Sequence, residues 1–207
     1  SHPHSDHVGG LFSLGTVITI DSVYLPDLQI EDIWQKRILL FLKERKIPFR
    51  FVKIGDVIQV DQWTKIYILG PFPENLHPAN SSGKNINNVS LVCLMKTAET
   101  SILLMGDTEK DSELKLLAWQ DFLNSQVLAL GHHGSITSSR MEFLQAVSAD
   151  YGLISVGRDN HFDHPSRIVL ERLRELRVKY FRTDLSGAIW LKSRPGKWEM
   201  VDWRAPE

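Results

Sequence analysis

Hydrophobic positions recur along the chain at two periods. Ile30, Ile33, Trp34, Ile38, Leu39 and Leu42 fall on one face of a 3.6-residue repeat, with acids early and bases late, and Pro48 follows. That pattern predicts a helix that stops before the proline. The same spacing predicts helices in EKDSELKLLAWQDFL, SSRMEFLQAVSA and HPSRIVLERLRELR, the last entered through Pro165. Short β-branched or alternating runs predict strands in GTVITIDSVYL, in FRFVKIGDVIQV and TKIYILG with a Gly-Asp turn between them, and in SQVLALGHHGS, YGLISVG, GAIWLKS and KWEMVDW. VSLVCLMK and SILLMGD read as a buried hairpin around TAET. PFPENLHPANSSGKNINN, rich in Pro, Asn and Ser, reads as a long loop of the kind that often carries function. Helices alternate with strands, which argues an α/β fold with two sheets and helices outside. No linker divides residues 1–207, so one domain is expected.

Composition narrows the function. The 207 residues suit one large domain, and 43% apolar content supplies a core. A net charge of -1 gives no bulk electrostatic attraction for nucleic acid, so such a partner needs a local site. The single cysteine, Cys93, excludes an internal disulfide. No apolar run approaches the ~18–20 residues that span a bilayer; RILLFL and SILLM read as core. The chain opens inside a motif, SHPHSDHVGG, so a preceding segment is expected.

That opening is the first candidate for chemistry. Imidazoles and carboxylates are the donors that zinc and related divalent ions accept. In an extended loop, His2 and His4 face one ion together, and Asp6 and His7 face a second. Gly9 and Gly10 are expected where the backbone packs close to the site. Asp107 follows a buried strand and a glycine in ILLMGDTE; alone, it reads more readily as a turn residue capping the next helix than as a ligand. His132 and His133 in LALGHHGS lie just beyond a buried strand, bounded by glycines, and alone divide evenly between ligand and structural roles.

Together, HxHxDH, a strand ending in Gly-Asp and a strand ending in HHGS resemble the metallo-β-lactamase superfamily, in particular the C-terminal hydrolase-like domain of ComEC/Rec2 DNA-uptake proteins. NNVSLVCL, ISVGRDNHFDHP and RTDLSGAIWL extend the resemblance over nearly the whole chain. It implies a four-layer αββα sandwich, here without the strands that usually precede HxHxDH. It implies two divalent ions, zinc or manganese, and a metal-bridging hydroxide as nucleophile. Carried over by position, His2 and His4 hold the first ion, Asp6 and His7 the second, and Asp107 bridges. One of His132 and His133 completes the second site, with His132 favoured because it comes directly off the strand. Asp6, Asp107 and His132 are the candidate catalytic residues; Asn88, Ser135, Asn160 and His164 are candidate substrate contacts. There are two departures. The superfamily has a further histidine before the bridging aspartate, where this chain, like the ComEC branch, has asparagines, leaving His77 as the nearest histidine. Asp163 stands where the branch has glycine.

The resemblance implies a phosphodiesterase or nuclease associated with DNA uptake, lying on the extracytoplasmic face of a bacterial membrane if joined to a channel domain and cytoplasmic otherwise. Nucleic acid or a small phosphodiester is the expected partner. Two alternatives stay open: a hydrolase of a small ester, lactam or phosphocholine-type substrate, and a non-catalytic metal-binding module. Lys84, Arg140, Arg158 and Arg167 are candidate phosphate contacts, but they read more readily as solvated charges. Phe72, Trp119 and Phe162 are candidate base-stacking rings, but packing is the more ordinary reading of each.

Overall fold

A computed structural model describes residues 1–28, 32–76, 83–202 and 204; His77 and the side chain of Lys84 lie outside the described residues. The chain begins with a helix, α1 (Ser5–Val17), followed by strand β1 (Val23–Pro26), helix α2 (Ile33–Glu44) and strand β2 (Phe49–Val52). β1 and β2 pair in parallel. α2 starts where expected because the Asp32 carboxylate accepts the backbone N–H groups of Trp34 and Gln35, at 2.7 and 2.9 Å.

Next come β3 (Val57–Gln59), β4 (Lys65–Gly70), β5 (Val92–Lys96) and β6 (Ser101–Leu104), then α3 (Lys110–Leu116) and a 3₁₀ segment over Leu117–Leu123. β7 (Val127–Ala129), α4 (Met141–Val147), β8 (Tyr151–Ile154), α5 (Arg167–Glu175) and β9 (Lys179–Arg182) follow. A short helix, α6 (Thr183–Ser186), leads to the hairpin of β10 (Trp190–Arg194) and β11 (Lys197–Val201).

Among the described residues, β3 to β9 form one seven-stranded sheet in sequence order. Its first half is antiparallel, and the pairs β6–β7, β7–β8 and β8–β9 are parallel. The architecture is thus α/β with a mixed sheet. In place of a second large sheet, the pair β1–β2 and the hairpin β10–β11 stand apart as two-stranded units.

Alternation along the strands builds the two faces. Leu69, Val92, Leu94, Leu103 and Leu128 point to one face, where they meet Leu116 of α3, Phe143, Leu144 and Val147 of α4, and Val169, Leu170 and Leu173 of α5. Each such side chain removed from water contributes ~1.5–3 kcal/mol. Ile66, Ile68 and Cys93 point to the other face, against Val52 of β2. The hairpin closes on the sheet through Trp198, whose indole N–H donates to the Ser101 carbonyl at 3.1 Å.

Three expectations change, and one strand goes unannounced. The opening motif is not an extended loop: from Ser5 onward it is helical, with His4 as the N-cap residue. The strand expected over GTVITIDSVYL is confined to its last residues, because α1 runs to Val17. Gly9 and Gly10 are not at a close approach; a Cβ on either would meet nothing within 4 Å. β9 carries no pattern that announced it: KYFR is four residues long and completes the parallel edge.

Candidate metal centre

Parallel strands end on the same side of a sheet, and the carboxyl ends of such strands are where α/β folds gather their sites. β6, β7 and β8 deliver, in turn, Asp107, the His132–His133 pair and the loop through His164 to that edge. A backbone bond from His132 N–H to the Gly106 carbonyl, 3.0 Å, ties the first two loops together. The opening segment reaches the same edge because Leu91 N–H donates to the Ser1 carbonyl at 2.9 Å.

Two glycines allow this convergence. Gly106 has φ +55°, and a Cβ there would lie 2.7 Å from Cβ of Ser1 and 2.8 Å from Cβ of Ser90. Gly131 lets the carbonyl of Thr108 approach to 2.6 Å of where its Cβ would stand. The next two residues take left-handed conformations without being glycine, His132 at φ 48° and His133 at φ 54°. Such strain costs of order 1–3 kcal/mol per residue and gathers where side-chain direction matters.

The buried carboxylate of Asp107 is the centre of the cluster. Its Oδ1 lies 3.0 Å from Nε2 of His7 and 3.6 Å from Nε2 of His133, and its Oδ2 lies 3.8 Å from Nε2 of His2 and 3.9 Å from Nε2 of His132. The approach of His7 lacks hydrogen-bond alignment, so Oδ1 is buried without a hydrogen-bond partner. An orphaned buried carboxylate oxygen is costly unless a cation or proton answers it. Burial pushes the Asp107 carboxyl up, but the His7 imidazole beside it, with His133 and His2, outweighs this and holds it down at about 2. Burial pushes the His2 imidazole down to about 3, against the attraction of Asp107.

The second group comprises Asp6 Oδ2, His7 Nε2 and His133 Nε2. Their separations are 3.2 Å for Asp6–His133, 3.3 Å for His7–His133 and 3.6 Å for Asp6–His7. A tetrahedral zinc with bonds of ~2.0–2.1 Å sets its ligand atoms ~3.3 Å apart, so this spacing fits an ion. The tautomer fits as well. Nδ1 of His133 is 2.7 Å from the Ser155 carbonyl, which can only accept. The proton therefore sits on Nδ1, and the Nε2 lone pair faces the cluster. His2, His7 and Asp107 also bring ligand atoms within 4.8 Å of one another. Nε2 of His2 lies 2.8 Å from Nδ1 of His4.

Of the paired histidines, His133 is the one that reaches Asp6 and His7. His132 turns its Nδ1 to Glu109 Oε1 at 3.2 Å and to Thr137 Oγ at 3.2 Å. Glu109 raises the affinity of His132 for a proton, against its burial. Sequence reasoning missed Glu109, two residues beyond Asp107, and the buried Ser90, although Ser90 lies in the NNVSLVCL stretch. Ser90 Oγ accepts the Asp107 N–H at 3.0 Å and lies 3.1 Å from Nδ1 of His2.

The candidate substrate contacts divide. Asn88 Oδ1 accepts the Glu109 N–H at 3.0 Å, and Asn160 braces its own loop, accepting from His164 N–H at 2.9 Å and donating to the His164 carbonyl at 2.8 Å. Ser135 is buried, 3.0 Å from Thr137 Oγ. His164 lies at the edge of the cluster, its ring 5.5 Å from that of His132. Of the candidate phosphate contacts with described side chains, Arg140 pairs with Glu142, Arg167 pairs with Glu171 at the surface, and Arg158 donates to the Asp184 carbonyl. Phe72 and Trp119 pack against the main core.

No protein-family model matches the chain. It is 31% identical over 189 residues, 91% of its length, to ComE operon protein 3 of Bacillus subtilis (strain 168), of which it covers 23%. It is 40% identical over 117 residues, 56% of its length, to competence protein ComA of Neisseria gonorrhoeae, of which it covers 17%. Recombination protein 2 of Haemophilus influenzae is 35% identical over 114 residues, 55% of this chain and 14% of that protein. These three relatives are competence and recombination proteins of the ComEC/Rec2 kind. The chain spans less than a quarter of these ComEC/Rec2 relatives. Among the described residues, no helix is long and apolar enough to cross a membrane.

Proposed function

We propose that this chain is a metal-dependent phosphodiesterase, a nuclease serving DNA uptake, built on a metallo-β-lactamase-type αββα sandwich. One observation carries the reading. The buried Asp107 carboxylate presents each oxygen to two imidazoles, one oxygen is orphaned, and His133 aims a lone pair at the same point. Such a donor set suits two divalent ions sharing one carboxylate, zinc or manganese by donor chemistry. Asp6, His7 and His133 would hold one ion; His2 and His4 would hold the other; Asp107 would serve both. Bound ions supply an acidified water and neutralise charge on a phosphate. The chain's own part is to orient. Ser90 fixes the His2 ring and the Asp107 backbone, the Ser155 carbonyl fixes the His133 tautomer, and Glu109 holds His132 with Nε2 toward the site. Asp6, the more exposed carboxylate, is placed to take a proton from an incoming water.

Competence in the relatives' names supports nucleic acid as the substrate, and their greater length leaves room for a further domain; were that a membrane channel, this domain would lie on the extracytoplasmic face, and otherwise in the cytoplasm. The test is metal analysis of purified protein after loading with Mn²⁺ or Zn²⁺, followed by cleavage of plasmid and single-stranded DNA. The reading expects bound ions and cleavage abolished by Asp107→Ala. Protein that binds no ion at saturating metal, or cleavage that survives Asp107→Ala, overturns it. Turnover of a cephalosporin in place of DNA points instead to the lactam alternative.

A further inference from the structure

Phe162 is the most exposed large aromatic among the described residues, at 79% against 65% for Trp63. It is not held out by a loose loop. Asn160 clamps the turn in both directions across His164, and a further bond joins Asn160 Nδ2 to the Gly157 carbonyl at 3.2 Å. The ring lies nearly parallel to His164, at 21° with centroids 5.8 Å apart. His164 in turn stands edge-on to His132, with centroids 5.5 Å apart. A series of rings therefore runs from the metal centre outward and ends on Phe162.

This ring forms one wall of an open cavity of about 380 Å³. Asp6 and His133 of the candidate metal centre line the same cavity, together with Val156 and Gly157. The volume is at the small end of the ~300–1,000 Å³ typical of ligand pockets, suited to one nucleotide-sized group. Among the described lining residues there is no Lys or Arg. Attraction for phosphate there would fall to the ions that Asp6 and His133 would help to hold; what the wall itself adds is an aromatic face.

Resting on the phosphodiesterase reading, we propose that Phe162 is a stacking platform for one unpaired base of the substrate, which makes the site selective for single-stranded nucleic acid. In a duplex both faces of a base are covered by its neighbours, so a single ring offered from a cavity wall can meet only a base outside the stack. His164 backs the ring on one side and keeps its orientation.

The test compares wild-type protein with Phe162→Ala and Phe162→Trp, each loaded with Mn²⁺, by fluorescence anisotropy. The probes are a cleavage-resistant phosphorothioate oligothymidylate and an abasic phosphorothioate chain of the same length. Base stacking is lost on alanine substitution with a weakening of about 5- to 150-fold. The expected result is a loss of that size for the oligothymidylate with Phe162→Ala, no change for the abasic chain, recovery with Phe162→Trp and an unchanged melting temperature. Equal binding by Phe162→Ala, or an equal loss on both probes, overturns the proposal. So does a Phe162→Ala defect confined to hydrolysis of p-nitrophenyl phosphorylcholine, which would make the ring a seat for a quaternary ammonium. Cleavage assays on the same proteins separate the two claims. Base-dependent binding without any cleavage removes the nuclease reading and leaves a single-strand binding site; cleavage indifferent to Phe162 does the reverse.

Discussion

The Ser90 hydroxyl lies 3.1 Å from Nδ1 of His2, and the same oxygen accepts the backbone N–H of Asp107. One fully buried side chain thus sets two groups that come from opposite ends of the sequence stretch 2–107. Ser90→Ala leaves the Asp107 N–H without a partner inside the protein. The expected cost is ~1–3 kcal/mol of stability, read from urea denaturation in EDTA. Loss of the ring's support should also weaken metal binding about 10- to 100-fold, read by titration with Mn²⁺. Unchanged affinity would show that His2 is positioned without Ser90.

Glycines at two places should respond in opposite directions. Gly106→Ala forces a left-handed alanine, costing ~1–2 kcal/mol, and drives a methyl into Ser1 and Ser90, 2.7 and 2.8 Å away. Both stability and metal affinity should fall. Gly9→Ala adds a methyl to open space within α1, where alanine is better than glycine by roughly 0.5–1 kcal/mol. A higher melting temperature for Gly9→Ala beside a lower one for Gly106→Ala is the outcome to look for.

Glu109 acts through His132. Glu109→Gln removes the charge that holds Nδ1 of His132, at 3.2 Å, and keeps the shape. DNA cleavage should fall about 10- to 100-fold, while the Asp6–His7–His133 group, which Glu109 does not touch, keeps its ion. Equal loss of metal and activity would argue against a positioning role.

Glu113 gives a pH dependence remote from the metal centre. It is buried on α3 and accepts the backbone N–H groups of Ser139 and Arg140, capping α4 from a neighbouring element. Burial pushes its carboxyl up to about 7, against those two bonds. The folded protein therefore keeps a proton that the unfolded chain releases above about pH 4.5. Stability from this group is present below that value and declines as the pH rises toward 7, with a slope of at most ~1.4 kcal/mol per unit. Glu113→Gln has no such titration, so its urea midpoint should fall less between about pH 5 and pH 7. Its amide offers one acceptor oxygen for two N–H groups, so it should be less stable at every pH, by ~1–3 kcal/mol. Parallel pH profiles for the two proteins would refute the assignment.

By itself the sequence determined most of the elements and marked the residues able to carry chemistry. Periodicity announced α2, α4 and α5, because the apolar stripe of a helix is a local property that burial merely uses. It also marked His2, His4, Asp6, His7, Asp107 and the histidine pair, because HxHxDH, Gly-Asp and HHGS occur together in one chain, although Asp107 and the pair alone left structural readings open. Local signals misled at α1, where Gly9, Gly10 and Gly15 lower helix propensity and the following β-branched run favours a strand. Only the tertiary structure decided which atoms meet. His132 and His133 are adjacent and chemically identical; left-handed backbone angles turn one toward Glu109 and the other toward Asp6 and His7. Asn160, a candidate substrate contact, braces its own loop, while Phe162, which read as packing before stacking, stands in the open. The reason is geometric: a side chain's partners depend on how the ends of parallel strands are brought side by side, and that long-range order leaves no periodic trace in the segment that carries the residue.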